Sequence, residues 1–338
     1  MVRKPLLVLA SGLGAVALLA SCASGDTNTG AAAAGDDTIT VTHALGTSEV
    51  PAHPERVAAI GWGNQDTALA LGIAPVGVDD QTWSMDGSDG LGLYEWTLDA
   101  YEELGAEEPV VFDTTDGVDF AAIADAAPDV IIAAQSGLTE EQYDTLSEIA
   151  PVVAHPGVPW LTSWRDSIAL NSEALGKKAE GEQLIADLEQ QIAEAVEGAG
   201  FEGKTAAFFS FNEADLSTTS VYTDGDVRSA FLGDLGFDMP QVAIDAAKSG
   251  TFYADIAADN ADMLADVDVI VTYGQDSLVD ALQADPLWST VPAVRNGAVV
   301  TVGTGEPLSS AVSATALSIP WMLDEYVALL SEAAATAE

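Results

Sequence analysis

The sequence predicts an α/β protein of two lobes joined by one long helix, and three observations predict it. From Thr38 to Ala154, short apolar runs of strand length alternate with stretches of helical spacing, the pattern of βα units. From Ser163 to Val196 there is no proline, and apolar residues recur at helical intervals: Trp164, Ile168 and Leu175, then Leu184, Leu188, Ile192 and Val196. From Thr205 the alternation resumes. The expected divisions are an export signal at 1–21, a tether at 22–37, lobe one at 38–160, the linking helix at 161–199 and lobe two at 200–338.

The chain opens with Arg3 and Lys4, an apolar run Leu6–Leu19, and small residues Ala20 and Ser21, which together read as an export signal. The run is too short for a dependable membrane span, which needs about 20 apolar residues. Ala23–Asp37 is Gly, Ala, Ser, Thr, Asn and Asp, the composition of a flexible spacer. In lobe one, Ile39–Thr42 and Thr47–Val50 read as a hairpin. Strands are expected at Arg56–Ile60, Val76–Val78, Val110–Phe112, Val130–Ala134 and Val152–Ala154, with helices at Gln65–Leu71, Phe120–Ala126 and Thr139–Ile149. The linking helix, if continuous, spans about 50 Å; Gly176 and Gly181 are its two points of interruption. In lobe two, strands are expected at Thr205–Phe211, Val269–Thr272 and Ala298–Val302. Helices are expected at Val227–Leu235, Ala261–Leu264, Ser277–Leu282 and Thr315–Ala335, the last with a kink at Pro320.

Ten Lys and Arg stand against 54 Asp and Glu, a formal net charge of −44. Such a chain cannot replace the counterions of a phosphate backbone, so nucleic acid is excluded as a partner. The same balance argues against a polybasic contact with anionic lipid. One cysteine permits no internal disulfide and no Cys-based metal site. Residues 198–205 match the phosphate-cradling pattern G-x-x-x-x-G-K-[ST], but a helix precedes them and a strand follows, the reverse of what phosphate binding needs. His43, His53 and His155 are too scattered to read as a metal cage. No nucleophile–base pair can be read from the pattern, so an enzyme is not expected.

Leu19–Cys22 matches the lipobox of bacterial lipoproteins. The resemblance implies that Cys22 carries diacylglycerol on its sulfur and becomes the N-terminus of a chain held on the extracytoplasmic face of the cell membrane. Further segments resemble the iron–siderophore substrate-binding lipoproteins of ABC importers, especially their actinobacterial members. They are Val41–Val57, Gly61–Asp66, Leu71–Val78, Ala127–Ile132, Leu138–Tyr143, Ile149–Val152, Arg228–Phe237, Val294–Gly297 and Leu308–Trp321. They lie in collinear order over nearly the whole chain. The resemblance implies two Rossmann-like lobes bridged by a rigid backbone helix, with the ligand in a largely pre-formed cleft between them. It also implies a monomeric carrier that delivers an iron(III)–siderophore complex to a permease with a cytoplasmic ATPase. The lipid on Cys22 is then the only covalent group. Haem, cobalamin or a metal ion are the rival ligands within this fold, and a secreted hydrolase the rival from another class.

Ligands of open α/β sheets sit beyond the carboxyl ends of strands. Those ends carry Trp62, Asn64, Trp83, Gln135 and Trp160 in lobe one, and Phe211, Tyr222, Arg228, Tyr253 and Tyr273 in lobe two. Trp and Tyr supply rigid amphipathic area, and an arginine donates to chelating oxygens. Trp96, Trp164, Trp288 and Trp321 are expected in the core. Arg228 has a second expectation, pairing with Asp224 or Asp226 on the surface. Eight basic residues remain beyond the export signal, and anionic ligands would be repelled, so a neutral or cationic hydroxamate complex is favoured. The siderophore would supply every iron ligand, leaving no metal-binding residue in the protein. The resemblance further implies one acidic permease contact per lobe. Asp259 matches it in lobe two, and Asp119 stands nearest in lobe one, where Ala121 replaces the family's usual Glu. Both aspartates also sit where a helix N-cap belongs.

Overall fold

In the computed structural model the described residues are 37–82 and 91–337, so the readings on Cys22 and Trp83 lie outside them. A hairpin of β1 (Thr38–His43) and β2 (Gly46–Pro51) opens the described chain. Lobe one then runs β3 (Val57–Ala59), α1 (Asn64–Ala70), β4 (Gly77–Asp79), α2 (Glu95–Leu104) and β5 (Val110–Phe112). It continues through α3 (Phe120–Ala126), β6 (Val130–Ile132), α4 (Glu140–Ser147) and β7 (Val152–Val153). Its sheet is parallel throughout, in the order β5-β4-β3-β6-β7. β3 and β6 are buried on both faces, which is why their sequences are unbroken apolar runs. The chain leaves β3 toward β4 and β5, then returns to the other side of β3 as β6. That reversal opens a crevice at the carboxyl ends of β3 and β6.

The expected single linking helix is two helices, α5 (Trp164–Ala174) and α6 (Lys178–Ala195), folded back on each other. Arg165 Nε lies 2.6 Å from Glu189 Oε1, although a continuous helix would separate them by about 36 Å. The turn falls at Gly176, whose φ of 67° suits glycine, and a Cβ there would stand 1.9 Å from the Ala52 carbonyl oxygen. Gly181 interrupts nothing; it lies inside α6.

Lobe two contains β8 (Ala206–Phe211), β9 (Thr218–Tyr222), α7 (Val227–Asp234), α8 (Gln241–Ala247) and β10 (Tyr253–Ala257). A 3₁₀ segment Ala258–Leu264 leads to β11 (Val269–Tyr273), α9 (Asp276–Ala284), α10 (Pro292–Asn296) and β12 (Val299–Thr301), and the chain ends in α11 (Pro307–Ala311) and α12 (Ser318–Thr336). The sheet order is β10-β9-β8-β11-β12; β8, β11 and β12 are parallel, while β9 and β10 run antiparallel. The antiparallel pair was not expected from sequence. Pro320 sits in the first turn of α12, where its missing N–H would have had no helical partner, so it opens the helix instead of kinking it.

One apolar cluster joins the lobes. It gathers Trp96, Trp164, Ile168, Leu188, Phe231, Ile319 and Tyr326 from lobe one, both linking helices, α7 and α12. Trp96 and Trp321 rings meet at 5.2 Å, and Trp164 Nε1 donates to Asp234 Oδ2 at 2.8 Å. Trp96, Trp164 and Trp288 are buried and Trp321 is half-buried, in line with the core reading of all four.

Candidate functional site: a cleft between the lobes

The cleft begins at the crevice beside β3. The Trp62 backbone N–H donates to the Gln135 carbonyl at 2.8 Å, so the segments leaving β3 and β6 are tied together at the point where Trp62 enters the cleft. Asn64 makes the brace. Its Nδ2 donates to the carbonyls of Ile60 and Gln135, and its Oδ1 accepts from the Gln135 N–H and from Asn171 Nδ2, all within 2.8–3.0 Å. Asn64 is fully buried with both amide atoms engaged, so it holds the wall and does not face a ligand. That corrects its expected role. Gln135 does line the cleft, with Oε1 accepting from the Thr162 N–H at 3.2 Å.

Trp160 stands at the mouth, 40% exposed, in the left-handed backbone region at φ 65°, which costs a non-glycine residue about 1 kcal/mol or more. Its N–H is held by the Ser136 carbonyl at 3.0 Å. Its indole lies over Gly137, where a Cβ would stand 2.1 Å from Nε1; only a glycine lets the ring down. Strain retained at an exposed aromatic beside a cavity points to function.

The lobe-two wall is an ion pair set in aromatic rings. Asp226 caps α7 by accepting from the Arg228 N–H at 2.9 Å, and its carboxylate takes Arg228 Nε at 2.8 Å and Nη2 at 2.7 Å. Arg228 Nη1 donates to the Tyr273 hydroxyl at 2.9 Å, and its guanidinium carbon sits 3.8 Å from the Tyr222 ring centre. Burial opposes the Arg228 charge, but the Asp226 carboxylate more than restores it, so the pKa lies well above the usual value. Burial likewise pushes the Tyr222 phenol up to about 12, with Arg228 pulling the other way. Arg228 therefore pairs with Asp226, as one reading had it, but inside the cleft wall and not on the surface.

Two contiguous cavities share Trp62 and Trp160. The one toward lobe one, about 240 Å³, reaches Asp79, Asp80, Thr114 and Gln142; the one between the lobes, about 370 Å³, reaches Tyr222, Arg228 and Phe252. Trp62, Gln135 and Trp160 thus face Tyr222 and Arg228 across one cleft. Tyr273 stands behind Arg228, and Tyr253 flanks Tyr222 at 6.5 Å between ring centres. Phe211 is a core residue. It shares the sheet face of Phe209 and packs edge-on against Trp288 at 5.1 Å, because residues two apart on a strand point the same way. Asp79, Asp80 and Phe252 were not anticipated. The two aspartates stand at the carboxyl end of β4, where the rule that singled out Trp62 also applies, but they were hidden among 54 acids.

His43 and His155 are buried in lobe one, with His43 Nε2 3.1 Å from Ser48 Oγ and His155 Nδ1 2.7 Å from the Gly157 carbonyl. Among the described residues no group of three His, Cys, Asp or Glu could hold a metal ion. Asp119 caps α3 by accepting from the Ala122 N–H at 3.0 Å. Asp259 is exposed and lies in the 3₁₀ segment, whose cap, Ala257, makes no side-chain bond, so its expected capping role is not met.

Two α/β sheets facing each other across an aromatic cleft, glued behind by a shared core, define a two-lobed solute-binding protein. Residues 57–304 match the periplasmic binding protein family, and the chain belongs to that family. It is 41% identical to Streptococcus pneumoniae TIGR4 PiaA, solved in complex with ferrichrome, over 89% of this chain and 100% of that one, with a TM-score of 0.85. The "Probable siderophore-binding lipoprotein YfiY" of Bacillus subtilis is 28% identical over 87% of this chain and 89% of its own length. The iron(3+)-hydroxamate-binding protein YxeB of the same organism is 24% identical over 75% of this chain and 74% of its own.

Proposed function

We propose that this chain captures a ferric siderophore, of the hydroxamate type, on the outer face of the cell membrane and delivers it to an ABC importer. The observation that carries the reading is the opposition of Trp62 and Trp160 on lobe one to Tyr222 and Arg228 on lobe two across a single cleft. Such walls suit a bulky, partly apolar complex with oxygens at its surface. Ferrichrome, the ligand in the PiaA structure, is a tris-hydroxamate. Charge supports the same class. Among the described residues lining the cleft Arg228 is the cation, and Asp226 already neutralises it, so a multiply anionic catecholate would meet no net positive charge.

The lipobox and the lipoprotein names of relatives support an anchor on Cys22, with residues 22–37 as the tether. Asp259, exposed on lobe two, and Asp119 on lobe one are the proposed permease contacts. The permease, with its ATPase, would read both lobes at once. Titration of tryptophan fluorescence with ferrichrome, ferrioxamine B, ferric enterobactin, haem and cobalamin tests the assignment. Saturable quenching by the hydroxamates and none by enterobactin is expected. Quenching by haem or cobalamin alone would overturn it.

A further inference from the structure

Among the described residues, nothing in the wall at the lobe-one end of the cleft neutralises the charge there. Asp79 and Asp80 are the charged side chains among the described residues lining that cavity. Asp80 is fully engaged: its Oδ2 accepts from the Thr114 N–H at 2.6 Å and hydroxyl at 2.8 Å, and its Oδ1 from the Thr82 N–H at 3.2 Å. Burial opposes that charge, but the Thr82 and Thr114 bonds outweigh it and hold the carboxyl below the usual range. These bonds are all to neutral donors, so the charge itself stays uncompensated.

Asp79 differs. Its Oδ2 accepts from the Gly61 N–H at 2.7 Å, whereas its Oδ1 is buried with no hydrogen-bond partner among the described residues. A buried carboxylate oxygen without a donor is costly to fold around, and a group from outside the fold (a water, an ion or part of a ligand) would supply one. The donors that line the rest of the cleft do not reach it. Arg228, the guanidinium among the described residues lining the cleft, is turned into lobe two by Asp226 and Tyr273.

We propose that this end of the cleft is a subsite for a cationic group of the ligand, a primary ammonium, received by Asp79 with the fixed charge of Asp80 behind it. The inference rests on the siderophore reading and narrows it to hydroxamates carrying a free amine. An ammonium supplies the donor that Oδ1 lacks and offsets the Asp80 charge at the same time. Burial and Asp80 raise Asp79 to about 7, and an arriving cation favours its ionised form. The ligand then lies with its chelating oxygens toward Arg228 and its amine toward β4.

The test compares ferrioxamine B, a linear ferric hydroxamate ending in a primary amine, with its N-acetyl derivative, which lacks only that charge. Calorimetric titration of the full-length chain should give the amine form at least about tenfold tighter binding, as expected for one charge-assisted hydrogen bond. In Asp79→Asn, which keeps an acceptor for Gly61, the ratio of the two affinities should fall to within about twofold. Equal affinities in the wild type, or a preference that survives D79N, overturn the subsite and leave the siderophore reading standing. Binding of neither form nor of ferrichrome overturns that reading itself. Should D79N fail to fold, the wild-type ratio alone decides.

Discussion

The buried carboxylate of Asp66, on the first helix of lobe one, accepts a hydrogen bond from the hydroxyl of Thr315, on the segment that enters the last helix. Trp96 Nε1 donates to the same oxygen at 3.0 Å, so one acid ties α1 to α2 and both to the end of the chain.

That acid makes stability depend on pH. Burial pushes Asp66 up to about 6, against the bonds from Thr315, Trp96, Thr97 and Gln65. In the unfolded chain it titrates near 3.9. Its folded pKa is therefore the higher, so its contribution is full below about pH 4, fades between about 4 and 6, and is lost above, an effect of roughly 3 kcal/mol. Asp79 acts in the same direction up to about pH 7. Melting temperature should rise as pH falls from 7 to 4.5, more steeply in wild type than in Asp66→Asn. The same slope in both would remove Asp66 as the cause, since mutual repulsion among the surface acids is common to the two proteins.

Trp160 should separate binding from folding. Trp160→Gly removes the ring and relieves the left-handed strain at φ 65°. Loss of an aromatic anchor costs about 2 kcal/mol, roughly thirtyfold in siderophore affinity, whereas the apo melting temperature should hold or rise. Undiminished affinity would take Trp160 out of the site.

Phe211→Ala should do the opposite. The ring packs on Trp288 inside lobe two, and Phe-to-Ala changes in a core cost about 3–5 kcal/mol. Denaturant unfolding should show that loss, with affinity unchanged in the fraction that folds. A selective loss of binding would return Phe211 to the cleft.

Gly176→Ala should destabilise the chain by about 2 kcal/mol or more. The new methyl group meets the Ala52 carbonyl, and the residue must hold a positive φ. A melting temperature equal to wild type would contradict the folded-back linker.

Cys22→Ser should abolish membrane attachment, because serine cannot form the thioether to lipid. Fractionation should find the variant unprocessed or soluble. Partition and processing like the wild type would end the lipoprotein reading.

Some of these features were plain in the sequence and others were not, for reasons that differ by residue. Trp62 was legible because the apolar run before it ends abruptly at Gly61, marking the carboxyl end of a strand. Phe211 misled because a strand end fixes position but not face; Phe208 and Phe209 already point to opposite sides of the sheet. The fold-back between α5 and α6 was invisible to periodicity, since both helices turn their apolar stripes into the same core and the repeat carries on through the turn. The pair β9 and β10 escaped because Thr218, Thr219, Ser220 and Asp255 give them little apolar signal. Arg228 was found, but its engagement by Asp226 depends on how α7 begins, and Asp224 was an equal partner on paper.

The closeness of Asp226 and Arg228 along the chain has a mechanical consequence. Both belong to lobe two and stand two residues apart, so their ion pair travels as a unit. If the lobes part at the mouth, this pair is not pulled apart, and the guanidinium is never stranded. What resists parting lies at the other end, where Asp66 grips Thr315 and Trp96 meets Trp321. The molecule is fastened along its spine, while the Asp226–Arg228 pair opposes no movement at its lips, a division of labour that suits a carrier obliged to let go.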